Sequence, residues 1–350
     1  MSNAIAYPST GQYKDAIRRA RSVLSHGGYD SDGEVIRVQQ PWPVMPYIGT
    51  YKIHGTNGSI VKFEDGTIQV QAKARVLTLE SDNFDFRVFM VSSGAMEKLF
   101  EQAEQRYRDL YDSEPVYPIE IAGEYAGRGI QRTVSVGEVD RFFAIFGIGF
   151  GYNARGGIAW EPTARFKDIS SHENRIYNIM DFGFESLDID FNQPEKAQAE
   201  LIEHTERVEK HCPVGGYFGL SGVGEGIVWK PQDASLVSDT DLWFKVKGEK
   251  HSSSKVKTLA PVDTELMANI DAFIDYAVTE NRLAQGVSEV GLDVKTTGQF
   301  IGWVSRDIVK EESDTLEKSG LNMKMVSRAL GLKARTYYMK AIEDQVVKGE

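Results

Sequence analysis

The chain has 350 residues, 41% hydrophobic and 26% charged, with a formal net charge of -11 and a single cysteine. That length exceeds one compact core, so two domains are expected, and the composition is that of a soluble globular enzyme. The acidic balance argues against a protein that coats nucleic acid non-specifically, because such binding is mostly phosphate neutralisation, but it leaves room for one local basic groove. Cys212 alone excludes an internal disulfide framework and a cysteine-based zinc site. No apolar run approaches the roughly 20 residues that span a bilayer. The stretch from Met1 to Gln12 has no charged start followed by an apolar run, so the expected setting is reducing and cytoplasmic, without secretion or membrane.

Tyr13, Ile17, Ala20 and Leu24 recur at helical spacing up to Gly27-Gly28, with Arg18, Arg19 and Arg21 on the outer face. Residues 33–46 are strand-like and proline-rich. Ser59–Phe63 and Thr67–Ala72 alternate as a strand pair, and Asp65-Gly66 between them suits a hairpin because both tolerate positive φ. Ser93 to Tyr111 predicts a helix with Met96, Phe100, Ala103, Tyr107 and Leu110 on one face. Strands follow around 119–125, 141–148, 226–229 and 242–246, and Pro194 opens a helix to about Lys210. After Lys257 the texture changes to long helical patterns at 264–283, 297–318 and 323–343. A polar linker near 252–258 divides an α+β domain, 1–252, from an all-helical domain, 259–350.

The segment Lys52-Ile53-His54-Gly55-Thr56-Asn57-Gly58 sets a lysine, in a loop before a strand, three residues ahead of a glycine that lets backbone pass close to a phosphate. On its own that spacing is weak. A free lysine, with a pKa of about 10.4, is protonated, so a nucleophilic one needs neighbouring cations or desolvation. Lys245 and Lys247 alternate on a strand and point to one face, within a run that continues to Lys250, Lys255 and Lys257. Glu225 stands at the mouth of an apolar strand and Glu124 beside glycines. One lysine nucleophile, two spaced carboxylates and a lysine pair form a set suited to phosphoryl chemistry, with the lysines offsetting triphosphate charge and a carboxylate holding Mg²⁺.

Taken together, these segments resemble the phage-type RNA ligase 2 family of the covalent nucleotidyltransferase superfamily. Residues 52–57 resemble its motif I, 123–131 motif III and the loop after it, 142–148 motif IIIa, 225–231 motif IV and 245–247 motif V. Order and spacing agree over roughly residues 40–250, and the helical tail is similar more faintly through Asn281-Arg282 and Arg306-Asp307-Ile308. The resemblance implies an ATP-grasp-like nucleotidyltransferase domain of antiparallel sheets with flanking helices, ahead of the helical one. It also implies ATP and Mg²⁺ (or Mn²⁺) as cofactors. The partner implied is RNA with 5′-phosphate and 3′-hydroxyl ends, in a nicked duplex or on ends brought together by structure.

Carried over residue by residue, the resemblance makes Lys52 the nucleophile that takes up AMP. Glu124 would bind the ribose hydroxyls, and Arg75, or else Lys73, would reach ribose and phosphate. Phe146 and Val228 would sandwich adenine, Glu225 would hold the metal, and Lys245 and Lys247 would contact the AMP phosphate. His54 and Asn57 would shape the pyrophosphate and nick-phosphate ends, with Thr56, Arg282 and Asp307 toward nucleic acid. One departure stands out: Gly147 occupies the place where the family commonly has an acidic residue, so either a neighbour such as Asp140 serves instead or the contact is absent. Within the superfamily, a DNA ligase or a capping guanylyltransferase is the alternative, though both normally carry an OB barrel after this domain; a non-catalytic RNA-end-binding module is a third reading. Asp188-x-Asp190-x-Asn192 lacks the rest of a calcium loop, and Gly222–Gly226 matches neither a P-loop nor a Rossmann fingerprint. His204 and His211, seven apart, read as an exposed helix face.

Overall fold

The computed structural model describes residues 4–130, 135–248, 270–318 and 321–348. The chain divides into two compact units, Met1–Gly248 and Glu249–Glu350. In the first, α1 (Tyr13–Leu24) buries Tyr13, Ala16 and Ala20. Its Arg19 does not face outward as expected but bonds Asp239 at 2.7 Å. Gly27-Gly28 belong to β1 (His26–Tyr29), which pairs with β2 (Val35–Arg37). Then come β3 (Met45–Lys52), β4 (Thr56–Lys62), β5 (Ile68–Ala72) and β6 (Arg75–Val76).

A helix not read from the sequence, α2 (Phe86–Ser93), ends on Gly94 at φ +64°, and the helix expected over 93–111 follows as α3 (Met96–Tyr111). α2 gave little periodic signal because Val88 and Val91 face solvent while Phe86 and Met90 are buried. Next are β7 (Ile119–Ala126), β8 (Phe142–Tyr152), β9 (Ile158–Trp160), β10 (Ile176–Asn178) and β11 (Phe184–Ile189). The unit closes with α4 (Glu195–Lys210), α5 (Pro213–Tyr217), β12 (Gly226–Pro231), α6 (Ala234–Val237) and β13 (Phe244–Lys247).

Two sheets result. A seven-stranded one runs β10-β8-β7-β4-β5-β6 with β9 on β8, and a four-stranded one runs β11-β3-β12-β13. All pairings but β10 with β8 are antiparallel, as expected. One face of the larger sheet contributes Ile60, Val70, Ile121, Tyr125, Phe143 and Ile145 to a core shared with Phe86, Leu99 and Phe100 of α2 and α3. Burying this alternate set leaves Asn57, Ser59, Glu120, Ala122 and Glu124 on the other face.

The second unit is helical: α7 (Ile270–Ala277), α8 (Glu280–Val290), α9 (Thr297–Lys318) and α10 (Met323–Lys348). The pattern read as one helix over 264–283 breaks at Thr279, whose side chain accepts from the Arg282 backbone N–H and caps α8; residues 264–269 lie outside the described ones. Phe273, Leu283, Phe300, Val304, Leu330 and Tyr338 form its core. The expected linker at 252–258 also lies outside the described residues. Among the described residues no helix is long and apolar enough to cross a membrane.

Candidate active site

Register decides which side chains share a face of the smaller sheet. Gly226 lies opposite both Lys52 and Lys247, and Val228 opposite both Thr50 and Lys245. Cross-strand partners project to the same side and alternate residues repeat it, so Lys52, Val228, Lys230, Lys245 and Lys247 occupy one face. The other face carries Tyr47, Trp229 and Phe244 in the core. Lys52 closes β3 rather than standing in a loop as expected.

Glu225, immediately before β12, gathers the cations. Its residue is 2% exposed. One carboxylate oxygen accepts from Lys52 Nζ at 2.8 Å and lies 3.3 Å from His54 Nδ1; the other is 3.2 Å from Lys247 Nζ. Burial alone would raise the Glu225 pKa, but Lys52, Lys247 and His54 hold it well below the usual carboxylate range. The sequence expectation of positive neighbours for Lys52 holds only in part: Lys247 shares its carboxylate, while the group it touches is an anion. Two glycines permit this approach. Gly226 has φ +150°, and a Cβ there would stand 2.1 Å from the Val246 carbonyl oxygen; a Cβ on Gly55 would stand 2.3 Å from that of Tyr125.

The larger sheet supplies the facing wall. Glu124 and Asn57 are cross-strand partners, and a Glu124 carboxylate oxygen accepts the Gly55 backbone N–H at 3.1 Å. The Asn57 side-chain oxygen is buried with no hydrogen-bond partner among the described residues, an acceptor that a bound ligand would satisfy. Gly123 pairs with Ile145 but Ala122 with Gly147, so Phe146 is the extra residue of a β-bulge, a device that re-aims a side chain. The Thr56 hydroxyl accepts from the Asn83 side chain at 2.7 Å, which ties motif I to the loop before α2.

Several expected residues are placed elsewhere. Arg75 is exposed and braces the loop beyond β6, donating to Ser81 Oγ and carbonyl at 2.8 Å and to the Asp82 carbonyl at 3.2 Å. Lys73 bonds Ser9 at 3.2 Å. Arg282 is not available to nucleic acid: it is fully buried, donates to Asp307 at 2.8 Å and to the Ala277 carbonyl, and lies 3.4 Å and 3.6 Å from Glu312 and Glu311. A guanidinium with that many internal acceptors cross-links the helical unit, and Asp307 is its partner. Asp140 is turned to Arg175 at 3.3 Å and Arg128 at 3.8 Å, so it does not replace the acid missing at Gly147.

Lys250, Lys255 and Lys257 lie outside the described residues. Asn192 binds Trp42 through both its amide atoms at 2.9 Å, bracing a turn rather than a calcium ion. His204 pairs with Glu185 at 3.1 Å, which leaves no His204–His211 metal pair. Sequence reasoning missed Asn83, Tyr7 and Lys230; the last was legible, since it alternates with Val228 along β12.

Among the described residues no group of three or more His, Cys, Asp or Glu is placed to hold a metal ion. The carboxylates of Glu225 and Glu124 are hard oxygen donors, the ligand type that Mg²⁺ and Mn²⁺ prefer. One buried carboxylate thus brings two lysines and a histidine together where β3, β12 and β13 meet.

The sequence profile of the RNA ligase family matches residues 45–247, from β3 to the end of β13. This chain belongs to the RNA ligase family. No curated protein sequence matches it. Solved structures similar to it include Naegleria gruberi RNA ligase with PPi, 13% identical, TM-score 0.41, covering 71% of this chain and 58% of that one. A variant of the same ligase with ATP and Mn is 12% identical, TM-score 0.38, with the same coverage. The aligned region therefore spans under two thirds of those proteins.

Proposed function

We propose that the chain is an ATP-dependent RNA ligase that seals a 3′-hydroxyl to a 5′-phosphate through a lysyl-AMP intermediate on Lys52. The observation that supports this best is the contact of Lys52 with Glu225, on the sheet face that also carries Val228, Lys245 and Lys247. In the first step Lys52 Nζ, having given up a proton, attacks the α-phosphorus of ATP; a P–N bond forms, the bond to the β-phosphate oxygen breaks and pyrophosphate leaves. Lys245 and Lys247 offset the phosphate charge, and His54 and Asn57 address the departing end. Phe146 and Val228 hold adenine between them and Glu124 takes the ribose hydroxyls. A divalent cation on Glu225 would supply further charge neutralisation at the phosphates.

Next, an oxygen of the RNA 5′-phosphate displaces Lys52, which regains a proton as the P–N bond breaks. Finally the 3′-hydroxyl attacks that phosphate, losing its proton, and AMP departs. Thr56, the motif I residue bonded to the loop at Asn83, is assigned to the nick side.

The test uses labelled ATP or GTP with Mg²⁺, followed by denaturation. Label from ATP only, together with sealing of a 5′-phosphate nick that carries RNA on its 3′-hydroxyl side, is expected. Label from GTP would move the case to capping. Equal sealing with DNA on the 3′-hydroxyl side would move it to DNA ligase, and no label at all would leave an RNA-end-binding module.

A further inference from the structure

Lys230 is a buried cation that the phosphate chemistry above leaves unused. It lies on the cleft face of β12 and is 6% exposed. Its Nζ donates to the Phe146 carbonyl at 2.9 Å and to the Tyr7 hydroxyl at 3.4 Å. It stands 4.1 Å from the Trp243 ring centre and 5.5 Å from that of Phe146. Burial pushes its pKa down to about 7, while the carbonyl and the aromatic faces favour the charged form.

The surroundings are built for this seat. Tyr7 packs on Phe146 and Trp160, each at 5.1 Å between ring centres. The segment that carries it bonds both sheets: Tyr7 N–H to the Lys73 carbonyl at 3.0 Å, and the Gly11 carbonyl to the Lys245 N–H at 3.0 Å. A Cβ on Gly147 would stand 3.2 Å from the Trp160 ring and 3.7 Å from Lys230 Nζ. Any side chain at 147 would therefore enter the seat, and glycine leaves the ammonium to the bulge carbonyl and the aromatic faces.

We propose that Lys230 is a positioning residue for Phe146: its bond to the bulge carbonyl, in a seat closed by Tyr7 and Trp243, fixes the ring face on which the nucleotide base stacks. This rests on the ligase reading for the identity of the base. The seat acts on the base end of the nucleotide and not on its phosphates, and that separates it from a merely structural role.

The experiment measures binding of ATP and of tripolyphosphate to the full chain, with KM and kcat of adenylylation. Lys230→Met is expected to weaken ATP about tenfold, the scale of one buried hydrogen bond. Tripolyphosphate affinity and kcat at saturating ATP should stay within about twofold. Lys230→Gln, which keeps one N–H donor for the carbonyl, should recover most of the loss. Tyr7→Phe keeps the ring and removes only the hydroxyl; a loss for ATP of about threefold, with tripolyphosphate again unchanged, is expected, and it decides the matter if Lys230→Met does not fold. Equal losses for both ligands, or unchanged ATP affinity, would overturn the proposal. Wild-type protein that neither binds ATP nor labels would instead refute the ligase reading.

Discussion

The Lys52 ammonium and a Glu225 carboxylate oxygen are 2.8 Å apart, and the carboxylate is almost wholly removed from water while the lysine is partly open to the cleft. The anion thus holds Lys52, and with it His54 and Lys247, at one point. Glu225→Gln keeps the shape and removes the charge. We expect lysyl-AMP formation to fall by roughly 10²-fold or more, as for loss of a preorganised electrostatic partner. Folding stability should fall by roughly 2–4 kcal/mol, below the full cost of a broken buried pair because the lysines reach some water. Single-turnover labelling and urea unfolding check the two effects separately.

The same carboxyl makes stability depend on pH. Its folded pKa lies well below the ordinary value because of Lys52, Lys247 and His54, which overcome the opposing effect of burial. Above the unfolded glutamate pKa of about 4.3 its contribution is complete. As pH falls below that, the unfolded chain takes up a proton that the folded chain does not, so stability declines until the folded carboxyl also titrates. Urea midpoints taken from about pH 6 down to pH 3 should fall less steeply in Glu225→Gln than in wild type. Parallel slopes would contradict the assignment.

Gly55→Ala tests the close passage behind motif I. Its Cβ would sit 2.3 Å from the Tyr125 carbonyl oxygen, and backbone meeting backbone cannot yield by a rotamer change. A cost of roughly 1–3 kcal/mol is expected. The displaced 53–55 turn should also weaken the bond to Glu124 and slow adenylylation at least tenfold, of the order that a misplaced catalytic group costs. Normal labelling rates would show that the turn tolerates the shift.

Arg282 provides a contrast in the helical unit. Replacing it by Met leaves Asp307, Glu311 and Glu312 facing a buried position without their cation. Stability of that unit should fall by roughly 3–5 kcal/mol. Because the guanidinium does not reach the surface, the salt dependence of RNA binding, where the protein remains folded, should not change. A shallower salt slope would restore a phosphate contact to Arg282.

Where the sequence alternates cleanly, the fold was legible. Lys245 and Lys247 do share a face, the Asp65-Gly66 hairpin forms, and Glu225 stands immediately before its strand. What sequence could not supply were the side-chain partners that loops and distant segments bring in. Arg75 looks like a ligand-binding arginine in isolation, yet the loop at Ser81–Asp82 folds back on it. Arg282 and Asp307 suggest a surface only until α7, α8 and α9 bring their partners together. Tyr7 carries no motif, and its place beside Phe146 depends on a strap that joins both sheets. The bulge that turns Phe146 depends on a one-residue mismatch with β7, which the strand's own sequence does not show.

The central claim is that Lys52 carries the adenylate. Protein incubated with labelled ATP and a divalent cation, then denatured and digested, should yield one labelled peptide, with AMP bonded to Lys52 through an acid-labile P–N bond and none in Lys52→Met. Adenylate on any other side chain, or undiminished labelling of Lys52→Met, would contradict it.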